Sequence, residues 1–153
     1  LGMLYFYIGD KEQSKKMYEL AVSINSTDYN TMYNLGELYL TSFSDPENGY
    51  KWFLRVVSIK PDHSPALKKL GIIAMNNRNY KEAILYLEKA EMSLEKASSV
   101  SEVDEGEVVK MHILQATAYE SVGRKETARE YFEKALAKDP VNRIARHKLA
   151  LLN

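Results

Sequence analysis

Apolar and small residues return along the chain at helical spacing, separated by polar faces and short turns. Between Arg124 and Lys138, Ala128, Phe132 and Ala135 stand four and three residues apart, which puts them on one stripe of a helix. Pro140 ends that helix, because a residue before proline is pushed out of helical geometry, and Lys138 suits the negative end of the helix dipole. Ahead of it, Gly123 is suited to the left-handed conformation that closes a preceding helix carrying Ala116 and Tyr119. The unit is a helix, a short turn, a second helix and a proline.

That unit repeats. The small residue of each first helix falls at Gly2, Gly36, Gly71 and Ala116, in steps of 34, 35 and 45 residues. In the second helices Ala21, Val56, Ala90 and Ala135 follow in steps of 35, 34 and 45. The two series place one extra residue between Gly36 and Val56 and about eleven between Ala90 and Ala116. They predict one domain of repeats over 1–28 (incomplete), 29–62, 63–97 and 107–140, an acidic connector over 98–106, and a helix over 141–153 that caps the stack, the alternative being the start of a fifth repeat cut short. Asp28 or Thr27 is expected to cap the helix from Tyr29, and Asp45 the helix opened by Pro46. Trp52 lies on an apolar stripe and reads as core. In the last repeat His112 and Gln115 occupy positions that large apolar residues usually fill, so Met111, Leu114 and Ala118 are expected to turn inward instead. In the final helix, Ile144, Leu149 and Leu152 are expected on one side and Arg143, Arg146 and Lys148 on the other.

A period near 34 residues with this order of Leu-Gly, Tyr, Ala, aromatic, Ala and Pro resembles the tetratricopeptide repeat, over almost the whole chain. The resemblance implies an all-α right-handed solenoid, a superhelix of antiparallel helix pairs whose concave wall is lined by the first helix of every repeat. Spacing of three and four residues then picks out the groove positions. They are Met3 and Tyr7; Asn30, Tyr33, Glu37 and Leu40; Lys68, Ile72 and Met75; and Ile113, Thr117 and Glu120. Two acids and one base among apolar side chains suit an extended peptide or an amphipathic helix. Some members of the family grip a terminal carboxylate with a clamp of Lys, Asn and Arg. Only Asn34 and Lys69 match that clamp, with Met3 and Pro65 at two other places, so the clamp is not expected.

Composition narrows the chemistry. The 21 basic and 21 acidic side chains cancel, so no net field draws in nucleic acid or an anionic membrane. The RNA-reading pentatricopeptide alternative, of nearly the same repeat length, would need a basic groove. Charge is uneven along the chain, with one Lys against five acids from Glu95 to Glu107 and eight Lys or Arg against four acids from Arg124 to Lys148. Without cysteine there are no disulfides and no thiolate sites. His63, His112 and His147 share no helix turn, so no metal is expected. Glu88, Glu91 and Glu95 read as a solvated face rather than a catalytic row. No apolar run is long enough to span a membrane. No cofactor and no catalysis are expected. The expected role is a scaffold or adaptor holding a peptide or partner domain in the groove. The alternatives are a regulatory module of a larger protein, or self-association through the apolar N-terminal edge formed by Leu1, Leu4, Tyr5 and Ile8. The chain begins within what reads as a helix, as a fragment of a longer protein would.

Overall fold

The structure, a computed structural model, describes residues 1–98 and 104–152. Among them are nine α-helices, four consecutive pairs and one further helix, and no strand. The chain forms two compact units, Leu1–Lys69 and Leu70–Asn153, and the division falls inside α5 (Ser64–Asn76).

The first unit contains α1 (Gly2–Tyr7), α2 (Lys11–Ile24), α3 (Tyr29–Ser42) and α4 (Pro46–Ile59). Each of the last three starts at an aspartate whose carboxylate accepts the backbone N–H three residues on: Asp10 from Gln13, Asp28 from Thr31 and Asp45 from Asn48. Such caps satisfy donors that the first helical turn leaves without partners. Between paired helices the glycines allow close approach. A Cβ on Gly2 would stand 2.6 Å from the Tyr18 ring, and one on Gly36 would stand 2.7 Å from the Phe53 ring. Ser14 takes a buried place where alanine is usual, and its hydroxyl donates to the Gly2 carbonyl at 2.9 Å. Tyr18, Leu35 and Leu38 form a core cluster on which Tyr39, Phe43 and Trp52 pack. Trp52 is only half-buried, with the Arg55 guanidinium 4.5 Å above its ring.

The second unit holds α6 (Tyr80–Ser98), α7 (Glu105–Ser121), α8 (Lys125–Lys138) and α9 (Arg143–Leu152). Gly123 closes the α7–α8 turn at φ +79°. Ala128, Phe132 and Ala135 are fully buried, in one cluster with Val109, Ala116, Tyr119 and Ala145. The stripe and the turn between these helices follow the pattern in the sequence. Of the connector expected over 98–106, residues 99–103 lie outside the described residues. Asp104 caps α7 by accepting from the Gly106 N–H.

Two expectations fail here. In α7, His112 and Gln115 do not turn outward. His112 is 6% exposed and Gln115 fully buried, alongside Met111 and Ala118, while Leu114 is half-buried. In α9, Ala145 takes the buried place, with Leu149 and Leu152 packed against the core, and Ile144 points outward at 59% exposure. A helix two or three turns long rotates to seat its smallest side chain where the neighbouring helix comes closest.

Candidate functional site

The first-helix faces carry the twelve predicted groove positions, and none of the twelve is buried. In the first unit Met3 and Tyr7 on α1 are 52% and 76% exposed, Asn30 on α3 is exposed, and Tyr33, Glu37, Leu40 and Lys68 are half-buried. Tyr33 is wedged against Phe53 and His63, with ring centroids 5.5 and 5.2 Å away. Tyr29 meets His63 edge-on at 5.6 Å, and the Lys60 ammonium lies 5.0 Å from the Tyr29 ring. Burial, then the nearby Lys60, lowers the pKa of His63, whose Nδ1 accepts the Ala66 N–H at the start of α5. This side of α3 is therefore a rigid aromatic ledge. In the second unit Ile72, Met75, Ile113, Thr117 and Glu120 are half-buried. Ile113 packs against the core there, and the Thr117 hydroxyl donates to the Ile113 carbonyl.

The two groove acids are both paired. Glu37 Oε2 lies 2.9 Å from Lys69 Nζ, and Glu120 Oε2 lies 2.8 Å from Lys148 Nζ. Lys69, one of the two residues matching the carboxylate clamp, is thus engaged by Glu37. These faces are aromatic and aliphatic, and both of their acids are compensated by lysines.

A second cluster escaped the sequence reading. Of the Glu88–Glu91–Glu95 row only Glu95 is exposed as expected, whereas Glu88 and Glu91 accept hydrogen bonds across the unit. Glu91 has a side chain only 15% exposed and uses both oxygens. Oε2 accepts from Gln115 Nε2 at 2.7 Å and from the Tyr131 hydroxyl at 3.0 Å. Oε1 faces His112 Nε2 at 3.3 Å and Lys134 Nζ at 3.6 Å. Burial alone would push this carboxyl up, but the bonds from His112, Gln115 and Tyr131, with the Lys134 ammonium, outweigh it and hold Glu91 down at about 2. The Tyr119 hydroxyl donates to Glu88, and burial followed by that bond pushes Tyr119 up to about 12. Tyr119 stacks on Tyr131 with centroids 5.6 Å apart. The signal for this cluster was present in the sequence: polar His112 and Gln115 at apolar positions of one helix imply a polar partner on its neighbour.

Among the described residues no group of three His, Asp or Glu side chains is placed to hold a metal ion. No described helix is long and apolar enough to cross a membrane.

Comparison with known proteins gives the frame. Residues 1–28 and 109–142 match the model of a family described as tetratricopeptide repeat. Anaphase-promoting complex subunit 3 of Schizosaccharomyces pombe is 28% identical over 98 residues, a stretch that is 64% of this chain and 14% of that protein. The chain thus spans about one seventh of that relative. Among solved structures, the crystal structure of MamA superposes over 99% of this chain and 82% of its own, at 18% identity and a TM-score of 0.83. The anaphase-promoting-complex hetero-tetramer Cut9–Hcn1 matches over 99% of this chain and 28% of its own, at 14% identity and a TM-score of 0.73. The fold class is the helical-repeat solenoid of these neighbours, and the chain carries tetratricopeptide repeats at residues 1–28 and 109–142.

Proposed function

We propose that the protein is a scaffold or adaptor that holds a peptide or helix of a partner protein against its first-helix faces. The family and fold are those of protein-interaction modules, typically without catalysis. The observation that carries the finer reading is the accessibility of all twelve positions, with Met3 and Tyr7 wide open and Tyr33 fixed by its ring contacts. A rigid aromatic anchor costs little conformational entropy to use, which favours recognition. The test is a displayed peptide library selected on the chain. Selected peptides should lose about tenfold or more in affinity, roughly 1.4 kcal/mol, against Met3→Ser, Tyr7→Ser and Met75→Ser combined. Unchanged affinity in a variant with an unchanged melting temperature would overturn the reading.

A second reading is favoured by one patch of the first unit. Leu1, Leu4 and Ile8 on or beside α1 and Leu20 and Ile24 on α2 are each more than half exposed. Leu1, Leu20 and Ile24 share an apolar trough of about 420 Å³ with Met17 and Tyr18. Apolar surface of this kind suits self-association. Light scattering across a concentration series should then show a dimer or larger species that Leu4→Glu dissolves. A monomer at every concentration removes this reading.

A further inference from the structure

Two apolar features lie side by side on the edge of the first unit. Leu1, Leu4 and Ile8 fall on one stripe along α1 and its caps, and Met17, Leu20 and Ile24 fall on one stripe of α2. The α2 stripe lines the trough of about 420 Å³, which Leu1 closes at one side, while Leu4 and Ile8 continue from Leu1 as an exposed ridge. In the next repeat the same first-helix stripe is closed. Leu35 and Leu38 of α3 stand 34 residues after Leu1 and Leu4, yet they are 0% and 1% exposed, in one cluster with Tyr18 of α2. Within this unit, therefore, the stripe of a first helix is covered by the face of a second helix. The edge leaves one surface of each kind open, with Leu1 at 82% and Ile24 at 79% exposure.

The patch is large enough to matter. Leu1, Leu4, Ile8, Leu20 and Ile24 together expose roughly 600 Å², at the upper end for the largest apolar patch of a monomer and most of the ~800 Å² that each partner of a standard interface buries. Charge does not oppose two such patches meeting. No residue from Leu1 to Gly9 has a charged side chain, and the row bordering the patch on α2, Glu12, Lys16 and Glu19, mixes both signs.

We propose that a second copy of this chain covers the patch, in a two-fold dimer. The Leu4–Ile8 ridge of each protomer enters the trough of its partner and lies on Leu20 and Ile24, so one axis closes both pairs of surfaces at once. Ridge and trough belong to the same patch, which is what a two-fold contact requires and what ends the assembly at two chains. This deepens the self-association reading and rests on it.

The chain has no cysteine, so introduced thiols report the contact without background. Leu4→Cys mixed with Leu20→Cys and treated with a short bis-maleimide should give a band at twice the mass of the chain. Either variant mixed with Leu151→Cys, on the exposed side of α9, should give no such mixed product. Light scattering across a concentration series should rise from one chain mass to two and stop there. Leu20→Glu, which charges the trough and leaves α1 intact, should weaken the association at least tenfold, and Leu4→Glu should do the same from the ridge. Both positions are more than half exposed, and circular dichroism should show unchanged helix content. A monomer at every concentration overturns the proposal together with the self-association reading. A mass that climbs past two chains, a Leu4–Leu151 cross-link, no Leu4–Leu20 cross-link, or a dimer indifferent to Leu20→Glu leaves self-association standing and overturns the two-fold contact.

Discussion

Glu91→Ala should destabilise the second unit by about 3 kcal/mol, because it strips the shared acceptor from His112, Gln115, Tyr131 and Lys134 at once. Buried donors left without acceptors cost more than the lost bonds contribute. Gln115 already has its Oε1 buried without a partner, and His112 its Nδ1, so neither has a second bond to fall back on among the described residues. Urea unfolding followed by circular dichroism measures the change. Glu91→Gln keeps the shape and one acceptor oxygen, and its loss should be clearly smaller. An undiminished midpoint for Glu91→Ala would show that the cluster contributes nothing. The same carboxylate sets a pH dependence. Its pKa falls on folding from an ordinary 4.5 to about 2, so its contribution is complete above about 4.5 and is lost as pH falls toward 2. The wild-type unfolding midpoint should fall through that window more steeply than that of Glu91→Gln, which has no such group.

Phe53→Ala should cost about 3–5 kcal/mol, the usual loss when a fully buried aromatic ring is emptied. Its neighbour makes the expectation sharper. Gly36→Ala would gain about 1 kcal/mol of helix propensity on an open surface, yet here the new Cβ falls 2.7 Å from the Phe53 ring. That ring is fully buried, and Tyr33 packs against it, so it has no room to step aside. Gly36→Ala alone should therefore destabilise, by about 1–3 kcal/mol. In the Phe53→Ala background the same change should be nearly neutral or stabilising, since the methyl then enters the emptied space. A double-mutant cycle by denaturant unfolding reads this coupling directly. Additive losses would mean that the two positions do not meet as described.

Most of the helices were legible because their signals are local. The Asp28 and Asp45 caps, Pro46 at a first helical position, Gly123 at positive φ and the Ala128–Phe132–Ala135 stripe depend on residues within a few positions of each other. That the twelve first-helix positions stay unburied also followed from spacing alone, although the pairing of their acids did not. Nothing near Glu37 in sequence announces Lys69, 32 residues away, and nothing near Glu120 announces Lys148, 28 residues on.

By itself the sequence determined the repeat, its period, most of the caps and turns and the side of each first helix that stays unburied, because turn chemistry and helical periodicity are properties of neighbouring residues; α7, which starts at Glu105 inside the expected connector, is the exception. Only the tertiary structure decided which polar side chains are buried and who partners them. Glu91 reads as one more surface glutamate until α7 brings His112 and Gln115 to it and α8 brings Tyr131. The outward face of Ile144 was settled in the same way. A short amphipathic helix has more than one orientation consistent with its pattern, and the close fit of Ala145 against the core selected the one that leaves Ile144 and Leu151 open.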